Sequence, residues 1–215
     1  WLLSIQNDDG SWNDAAGVSP YTFDTGQVLK GMIALRDRSG RYDESIIRGC
    51  DWLLGRIDEE GRMTTPVKTQ WSLGPGREIP EAIHLYALEP LRVAASLFDR
   101  EDYALASKKV TAHYLRDRAL TDFNTMSHFH AYILEALIDI GEAERAEEGL
   151  DDLARHVRGG TVPAWPEGRG VCTTALAQYA VCFYKVDRLE AADRLFERLL
   201  EMQNASGGFF GSLGA

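Results

Sequence analysis

Apolar residues recur along this chain at spacings of three and four, a pattern that is typical of amphipathic α-helices. Between Tyr21 and Arg38, for example, Val28, Met32 and Leu35 fall on one side of a helix. Together with the Gly and Pro residues that end helices, the pattern predicts eight helices in four pairs. The first ("inner") helices are predicted at 21–38, 80–98, 128–140 and 171–185, and the second ("outer") helices at 43–57, 101–119, 142–157 and 189–202. The sequence therefore predicts an all-α fold.

The connections alternate between short and long. The short turns, each within a pair, are predicted near Gly40, Asp99, Gly141 and Asp187. The long loops, each leading to an inner helix, cover 12–20, 58–79 and 159–170. In an array of hairpins such loops lie on one face, beside inner-helix N-termini with unpaired N–H groups and partial positive charge. We expect the functional site on this face, because binding residues concentrate on loops held by a rigid scaffold.

One sequence motif accompanies the helices. It runs from Trp1 to Trp12, and Trp52 to Gly61 repeats its Trp-Leu-Leu and Gly positions. A third copy runs from Leu199 to Phe209. Recurrence in units of about 50 residues indicates an array of one supersecondary unit.

Within this motif, Gln6, Gly10 and Trp12 match a Gln-x3-Gly-x-Trp pattern, and Gln203 to Phe209 is a variant that ends in Phe. The pattern resembles the repeat of squalene and terpene cyclases and related prenyltransferase subunits. This resemblance implies an α/α toroid, in which inner helices surround a central cavity. The cyclase Asp-x-Asp-Asp run and the prenyltransferase zinc-ligand spacing do not occur in this sequence. The resemblance therefore implies the fold and not those activities, since α/α toroids also serve glycoside hydrolases, polysaccharide lyases and sugar epimerases.

Residues 1–215 are predicted to form a single domain. Four pairs with half-units at both ends are fewer than the six pairs common in the families that the chain resembles. We therefore expect either a longer protein or a homo-oligomer in which the open edges pair.

Composition narrows the partners. A net charge of −10 disfavours nucleic acid and anionic membranes, which need basic surfaces. No apolar run is long enough for a membrane helix. Cys50, Cys172 and Cys182 form an odd set without CxxC spacing, which favours a reducing, cytoplasmic location and argues against structural zinc. No cofactor motif is present, so none is predicted.

Several polar residues are predicted near the starts of inner helices. Asp24 is either a helix cap, which Thr25 could also supply, or a carboxylate at the cavity mouth. Glu81 and His84 share a helix face, so they are either dipole-compensating residues or an acid–base pair.

His128 and His130 begin the third inner helix, with Ser127 as its predicted cap. The two imidazoles point in nearly opposite directions on a helix, so only one can face a cavity. A catalytic zinc site would need a third ligand, and no metal is predicted.

The long loops supply further candidates for the site. Glu167 is a third candidate carboxylate, after Asp24 and Glu81. The candidate substrate-binding residues, aromatic or cationic, are Tyr21, Trp71, His128, Trp165 and Arg169. Loop tryptophans suit stacking on sugar rings, and they also fill hydrophobic cores.

Three hypotheses follow from these residues. The first is a carbohydrate-active hydrolase, lyase or epimerase that acts on a sugar or oligosaccharide, since the mouth is rich in acids, His, Arg and Trp. The second is a terpene-cyclase-like protein that binds an isoprenoid. The third is a repeat scaffold for a protein partner.

Overall fold

The computed structural model describes residues 1–36, 40–66, 79–168 and 170–213. All eight predicted helices are present in these ranges. They are α1 Thr22–Arg36, α2 Asp43–Leu54, α3 Leu88–Leu97, α4 Glu101–Tyr114, α5 Ser127–Asp139, α6 Ala143–Ala154, α7 Thr173–Lys185 and α8 Leu189–Glu201. Single 3₁₀ segments lie at Leu2–Ile5, Gly40–Tyr42 and Glu81–Ala87, and the short strands β1 Val171–Cys172 and β2 Ser212–Leu213 pair antiparallel. The predicted all-α class is confirmed.

The chain forms two compact units. The first holds the described residues from 1 to 66 and Glu81–Leu120, and the second holds residues 79–80 and those from Thr121 onward. In the first unit α1 pairs with α2 and α3 with α4, and α1 also packs on α3. In the second unit α5 pairs with α6 and α7 with α8, and α5 also packs on α7. Leucines without solvent exposure fill both cores, among them Leu29, Leu53, Leu91, Leu134, Leu137 and Leu150.

Three of the four short turns lie where the sequence predicts them, and the one near Gly40 falls partly on residues 37–39, outside the described ranges. Asp99, Gly141 and Asp187 each adopt a positive φ between the two helices of a pair. In the described part of the chain, every helix is too short or too polar to cross a membrane.

The motif copies share one turn. The amide groups of Gly10, Gly61 and Gly207 each donate to the carbonyl group three residues earlier, and their φ angles are 94°, 90° and 85°. A Cβ on Gly10 would lie 2.3 Å from the carbonyl oxygen of Arg48 in α2. A Cβ on Gly61 would lie 2.7 Å from the carbonyl oxygen of Lys109 in α4. Glycine is therefore required in these two turns both by conformation and by the closeness of the next outer helix.

A fourth turn was not predicted. The amide and carbonyl groups of Arg158 and Thr161 bond to each other, and Pro163 then pairs with Val171. The segment from Arg158 to Thr161 carries neither the Gln nor the Trp of the motif. Its equivalence to the motif turns is therefore visible only in the structure.

Three helix starts are bonded to return segments, the stretches of chain that follow a turn. The Thr22 hydroxyl donates to the Thr64 carbonyl group at 2.6 Å. The Ser127 amide donates to the Ala164 carbonyl group at 2.9 Å, and the Thr173 amide to that of Gly211 at 3.2 Å. The starts of α1, α5 and α7 are thus fixed by the chain that follows a turn.

The predicted caps are wrong. Helix α1 begins at Thr22, so Asp24 and Thr25 lie inside it. Helix α5 begins at Ser127 with Met126 as its cap, and the buried Ser127 hydroxyl has no hydrogen-bond partner. Because the return segments hold the helix starts, side-chain caps are not needed there.

Two helices differ most from their predicted bounds or type. The helix expected from residue 80 is a 3₁₀ segment up to Ala87 and becomes α-helical only at Leu88. Pro90 has no N–H to donate to the carbonyl group of Tyr86, which excludes an uninterrupted α-helix across this stretch. Helix α4 ends at Tyr114 and not at Ala119, because Asp117 accepts the Ala119 amide in a tight turn.

Candidate functional site

The start of α1 is fixed against the first motif turn. The Thr25 hydroxyl accepts from the Trp12 amide at 3.0 Å and donates to the Trp12 carbonyl group at 3.2 Å. The Tyr21 amide donates to that same carbonyl group. The buried Trp12 indole donates to the carbonyl group of Leu2, so the motif Trp has a packing role. This arrangement holds Tyr21 and Asp24, one helical turn apart, on one face.

Asp24 has an unusual carboxyl group. It is half-buried, and no hydrogen bond or ion pair to it occurs among the described residues. Burial, with a further contribution from the charge of Asp14, raises the pKa of Asp24 to about 6. A carboxyl group with such a pKa is protonated often enough near neutral pH to act as a general acid.

Asp14 was not among the predicted site residues. It lies in the 12–20 loop, and one of its carboxylate oxygens accepts the Val18 amide at 3.0 Å. The sequence indicates only that Asp14 lies in a long loop before an inner helix. It does not show which loop carboxylate comes near Asp24. The charge of Asp14 contributes to the raised pKa of Asp24.

His84 and Tyr21 are brought together. Their rings meet edge to face with centroids 5.3 Å apart. His84 is only 5% exposed, and its Nδ1 atom is buried without a partner. Burial lowers the pKa of His84 to about 4, so the imidazole is neutral at pH 7. It can therefore offer a hydrogen bond but cannot act there as a cation.

Glu81 lies on the same 3₁₀ segment and has partners of its own. Its carboxylate accepts from the Tyr114 hydroxyl at 3.2 Å and lies 3.6 Å from the Arg62 guanidinium group. The Tyr114 hydroxyl in turn accepts the Met63 amide at 3.2 Å. These contacts join the second motif turn to α4 and leave Glu81 partly exposed.

In the second unit, His130 is fully buried. Its Nδ1 lies 2.8 Å from the Tyr179 hydroxyl, and its Nε2 lies 3.0 Å from the Thr121 carbonyl oxygen. A carbonyl group only accepts, so Nε2 carries the proton and Nδ1 accepts from Tyr179. Burial lowers the pKa of His130 to about 4, against the opposing hydrogen bond to Thr121. Neither ring nitrogen is available to a substrate in this conformation.

His128 is half-buried beside Tyr132, with ring centroids 4.7 Å apart. Burial is the main cause that lowers its pKa. An interaction with Gln178, on the adjacent helix α7, opposes this shift. The His128 Nδ1 atom and both amide atoms of Gln178 are buried, so this ring nitrogen is not open to a substrate in this conformation.

The loop before α7 carries the remaining candidates. Trp165 is half-buried, and Glu167 is exposed in the turn that the Gly168 amide closes on the Trp165 carbonyl group. A pocket of about 330 Å³ lies under this loop, and its polar lining includes His156, Arg158 and Thr161. Trp71 and Arg169 lie outside the described residues. In the ranges that are described, no three His, Cys, Asp or Glu side chains are grouped as metal ligands.

Solved structures with related folds provide a comparison. An α-amylase from Clostridium perfringens matches with a TM-score of 0.70 at 14% identity, over 97% of this chain and 72% of that chain. An unsaturated glucuronyl hydrolase specific for heparin matches with 0.63 at 14%, over 87% and 62%. A polysaccharide lyase matches with 0.60 at 10%, over 96% and 69%. The chain thus spans 62% to 72% of the length of these three structures.

These similarities establish the fold class, which is that of the α/α toroids. The predicted class is confirmed in this respect, and at identities this low the likeness extends to fold alone. No family model matches the sequence, and no curated protein matches it.

Proposed function

We propose that this chain belongs to a carbohydrate-active enzyme that cleaves a glycan with Asp24 as the proton donor. The observation that carries the proposal is the raised pKa of the Asp24 carboxyl group, about 6, at the start of an inner helix. The structural neighbours named as an amylase, a glucuronyl hydrolase and a polysaccharide lyase support a sugar substrate.

The chemistry requires two carboxyl groups in different states. In glycoside hydrolysis one carboxylic acid protonates the leaving oxygen, and a carboxylate acts as base or nucleophile. Asp24 is suited to the first role because burial favours its protonated form. Asp14, whose charge contributes to the raised pKa of Asp24, is the candidate for the second carboxyl group.

The neighbouring residues support this assignment. Tyr21 and His84 form a buried ring pair, and Tyr21 lies three residues before Asp24. A neutral His84 also adds no positive charge that would lower the pKa of Asp24.

The other candidates remain predictions from the sequence. His128, Trp165, Trp71 and Arg169 are proposed for contacts to a sugar, and the last two lie outside the described residues.

Three further candidates for catalysis rank below Asp24. Glu81 has an ion-pair partner, Glu167 is exposed, and His130 has both ring nitrogens occupied. Each would need a rearrangement, or a site open to water, before it could transfer a proton to a bound sugar.

The test is an activity screen of the purified chain on starch, a neutral polysaccharide, and on heparin and other acidic polysaccharides. We expect glycan cleavage that Asp24→Asn reduces by about 10²–10⁴-fold, the usual contribution of a general acid. Asp8→Asn, in the exposed first turn, is the matched control and should keep full activity. A new reducing end without an unsaturated product indicates hydrolysis, whereas an unsaturated uronate indicates elimination.

The pH dependence adds a second criterion. A proton donor must be protonated, so the rate should fall as the pH rises above about 6. Full activity of Asp24→Asn would contradict the proposal. Binding of a prenyl diphosphate or of a helical partner, with no glycan turnover, would instead favour the cyclase-like or scaffold alternative.

We also propose a single working domain over residues 1–215, within a longer protein or a homo-oligomer, and a cytoplasmic location. All three cysteines are buried free thiols, which suits a reducing compartment. The net charge of −10 speaks against nucleic acid as a partner.

A further inference from the structure

The last motif turn repeats the geometry of the first. The Gln203 side-chain amide donates to the Gly207 carbonyl group at 2.7 Å, as that of Gln6 does to Gly10 at 2.9 Å. The Gly207 amide closes the turn on the carbonyl group of Asn204. The two turns differ in what lies next to them.

The first turn seats an outer helix. Gln6 exchanges two hydrogen bonds with Ser45 of α2, and a Cβ on Gly10 would strike the carbonyl oxygen of Arg48. The Arg48 guanidinium group donates to the carbonyl groups of Asn7 and Asp8. Helix α2 thus contributes the small polar residue Ser45 and, three residues later, the cation Arg48, and both bind the first motif turn.

Two further turns are occupied in a related way. Gly61 lies against Lys109 of α4, whose ammonium group donates to the Asp58 carbonyl group at 3.0 Å. A Cβ on Gly160 would lie 3.7 Å from the Cβ of Arg198 in α8. A cationic residue of the following outer helix therefore recurs at each of these three turns.

The Gln203–Phe209 turn has no such neighbour among the described residues. A Cβ on Gly207 would meet only the Gln203 side chain of its own turn, at 3.9 Å. Phe209 is 46% exposed, whereas Trp12 at the matching position of the first turn is 1% exposed.

Helix α8 presents an apolar stripe beside this turn. Leu189, Phe196 and Leu200 are exposed and lie on one face of the helix, while Leu199 and its neighbours on the other face are buried. In the described ranges, α2 and α6 expose no large apolar side chain. An exposed apolar stripe on one helix usually marks an interface.

We propose that α8 and the Gln203–Phe209 turn form a seat for one further helical hairpin of the same repeat. Its outer helix would carry an apolar stripe against Phe196 of α8, and an Arg or Lys over the carbonyl groups of Asn204 and Ala205. A small polar residue one turn before that cation would bond Gln203. This inference does not depend on the proposed function.

The charge of α8 agrees with this occupant. Glu197 and Glu201 are exposed acids in the last two turns of α8, on the side of the helix end that leads into the Gln203–Phe209 turn. They complement the cation that the added outer helix would bring, as the occupied turns lead us to expect.

The test adds such a hairpin to the chain. Residues 19–57, which contain α1 and α2, are joined directly after Ala215, so that the spacing from the turn to the new helix matches that after Trp12. We expect the melting temperature to rise by about 5 °C or more, since stability in repeat arrays grows with each interface. We also expect slower hydrogen exchange at the Gly207 amide. Arg48→Glu in the added copy alone is the matched control and should remove most of the gain.

Gly207→Ala separates seating from simple tethering. In the unextended chain this variant should lower the melting temperature only slightly. In the extended chain it should lower it clearly more, because the Cβ then meets the backbone of the added helix. An equal cost in both chains, or an unchanged melting temperature, would overturn the proposal. So would a stable dimer of the unextended chain that Leu200→Glu dissociates, because a second copy would then occupy the surface.

Discussion

Asp24 is costly to ionise, because its half-buried carboxyl group has lost part of its water and lies near the charge of Asp14. A folded-state pKa above the unfolded value means that the native chain holds this proton more tightly. Stability is therefore lost as the pH rises from about 4 through about 6.

Asp24→Asn should consequently stabilise the fold above pH 7. Allowing for the partial exposure of the group, we expect about 1 kcal/mol, or roughly 2–4 °C in melting temperature. Thermal unfolding followed by circular dichroism at pH 8 and pH 4 measures the effect. The gain should shrink to a small fraction at pH 4, where Asp24 is protonated in the folded chain and about half protonated in the unfolded chain. A gain that is equal at both pH values would disprove an ionisation cost.

His130 acts in the opposite direction. Its folded-state pKa is lowered to about 4, so the unfolded chain takes up a proton first as the pH falls below about 6.5. Stability is lost between these two values, and the buried His84 adds to the same effect.

His130→Phe should cost roughly 3 kcal/mol at pH 7, because it leaves the Tyr179 hydroxyl and the Thr121 carbonyl group without their partner. The deficit should narrow at pH 5, where the wild-type chain alone loses stability to protonation of this histidine. Tyr179→Phe is the control, since it removes one hydrogen bond but keeps the titrating imidazole. Parallel pH profiles for wild type and His130→Phe would contradict this explanation.

Single residues were the least predictable part of the site. The sequence places Asp24, His84 and His130 near helix starts, but it does not say that His130 is enclosed by Tyr179 and Thr121. The partner of Asp24 was missed because Asp14 lies in a loop without periodicity. Burial and partners decide which acid or imidazole is useful, and both depend on contacts between distant parts of the chain.

At the scale of elements, the motif turns hold successive hairpins together. Gly10 and Gly17 both have positive φ, but only Gly10 faces a neighbouring backbone atom, and Gly17 has open space around it. Alanine variants of these two glycines therefore separate the cost of backbone strain from the cost of close packing.

Gly17→Ala should cost about 1 kcal/mol from strain alone. Gly10→Ala should cost about 3 kcal/mol or more, because the new Cβ also displaces Arg48 and the helix that carries it. Chemical denaturation of the two variants measures both values. Equal costs would show that the turn does not seat α2 closely.

The helices themselves were predictable, because apolar periodicity and the turn residues Asp99, Gly141 and Asp187 agree along the chain. Pro90 indicates an interruption of the helix before α3, but it does not predict that the interrupted stretch is a 3₁₀ segment. The Arg158–Thr161 turn went unrecognised, since the geometry of a hairpin return can form without the Gln and Trp of the motif.

For the whole molecule, the repeat explains the fold and leaves the chemistry open, because α/α toroids support many reactions. The Gln, Gly and Trp residues behind the cyclase resemblance hold turns and helices together, as Gln6 and Trp12 do. They therefore do not distinguish a sugar-processing enzyme from an isoprenoid-binding protein. That distinction rests on the half-buried carboxyl group of Asp24 in the first turn of α1.

The central claim is that burial, with a further contribution from the charge of Asp14, raises the pKa of the Asp24 carboxyl group to about 6. It is tested most directly by titrating the Asp24 side-chain carboxyl carbon by NMR in the wild-type chain and in Asp14→Asn, a change that preserves the acceptor for the Val18 amide. The account predicts a pKa of about 6 for Asp24 in the wild-type chain and a lower value in the variant. A wild-type pKa near the model-peptide value of about 4, or one that does not move in Asp14→Asn, would contradict it.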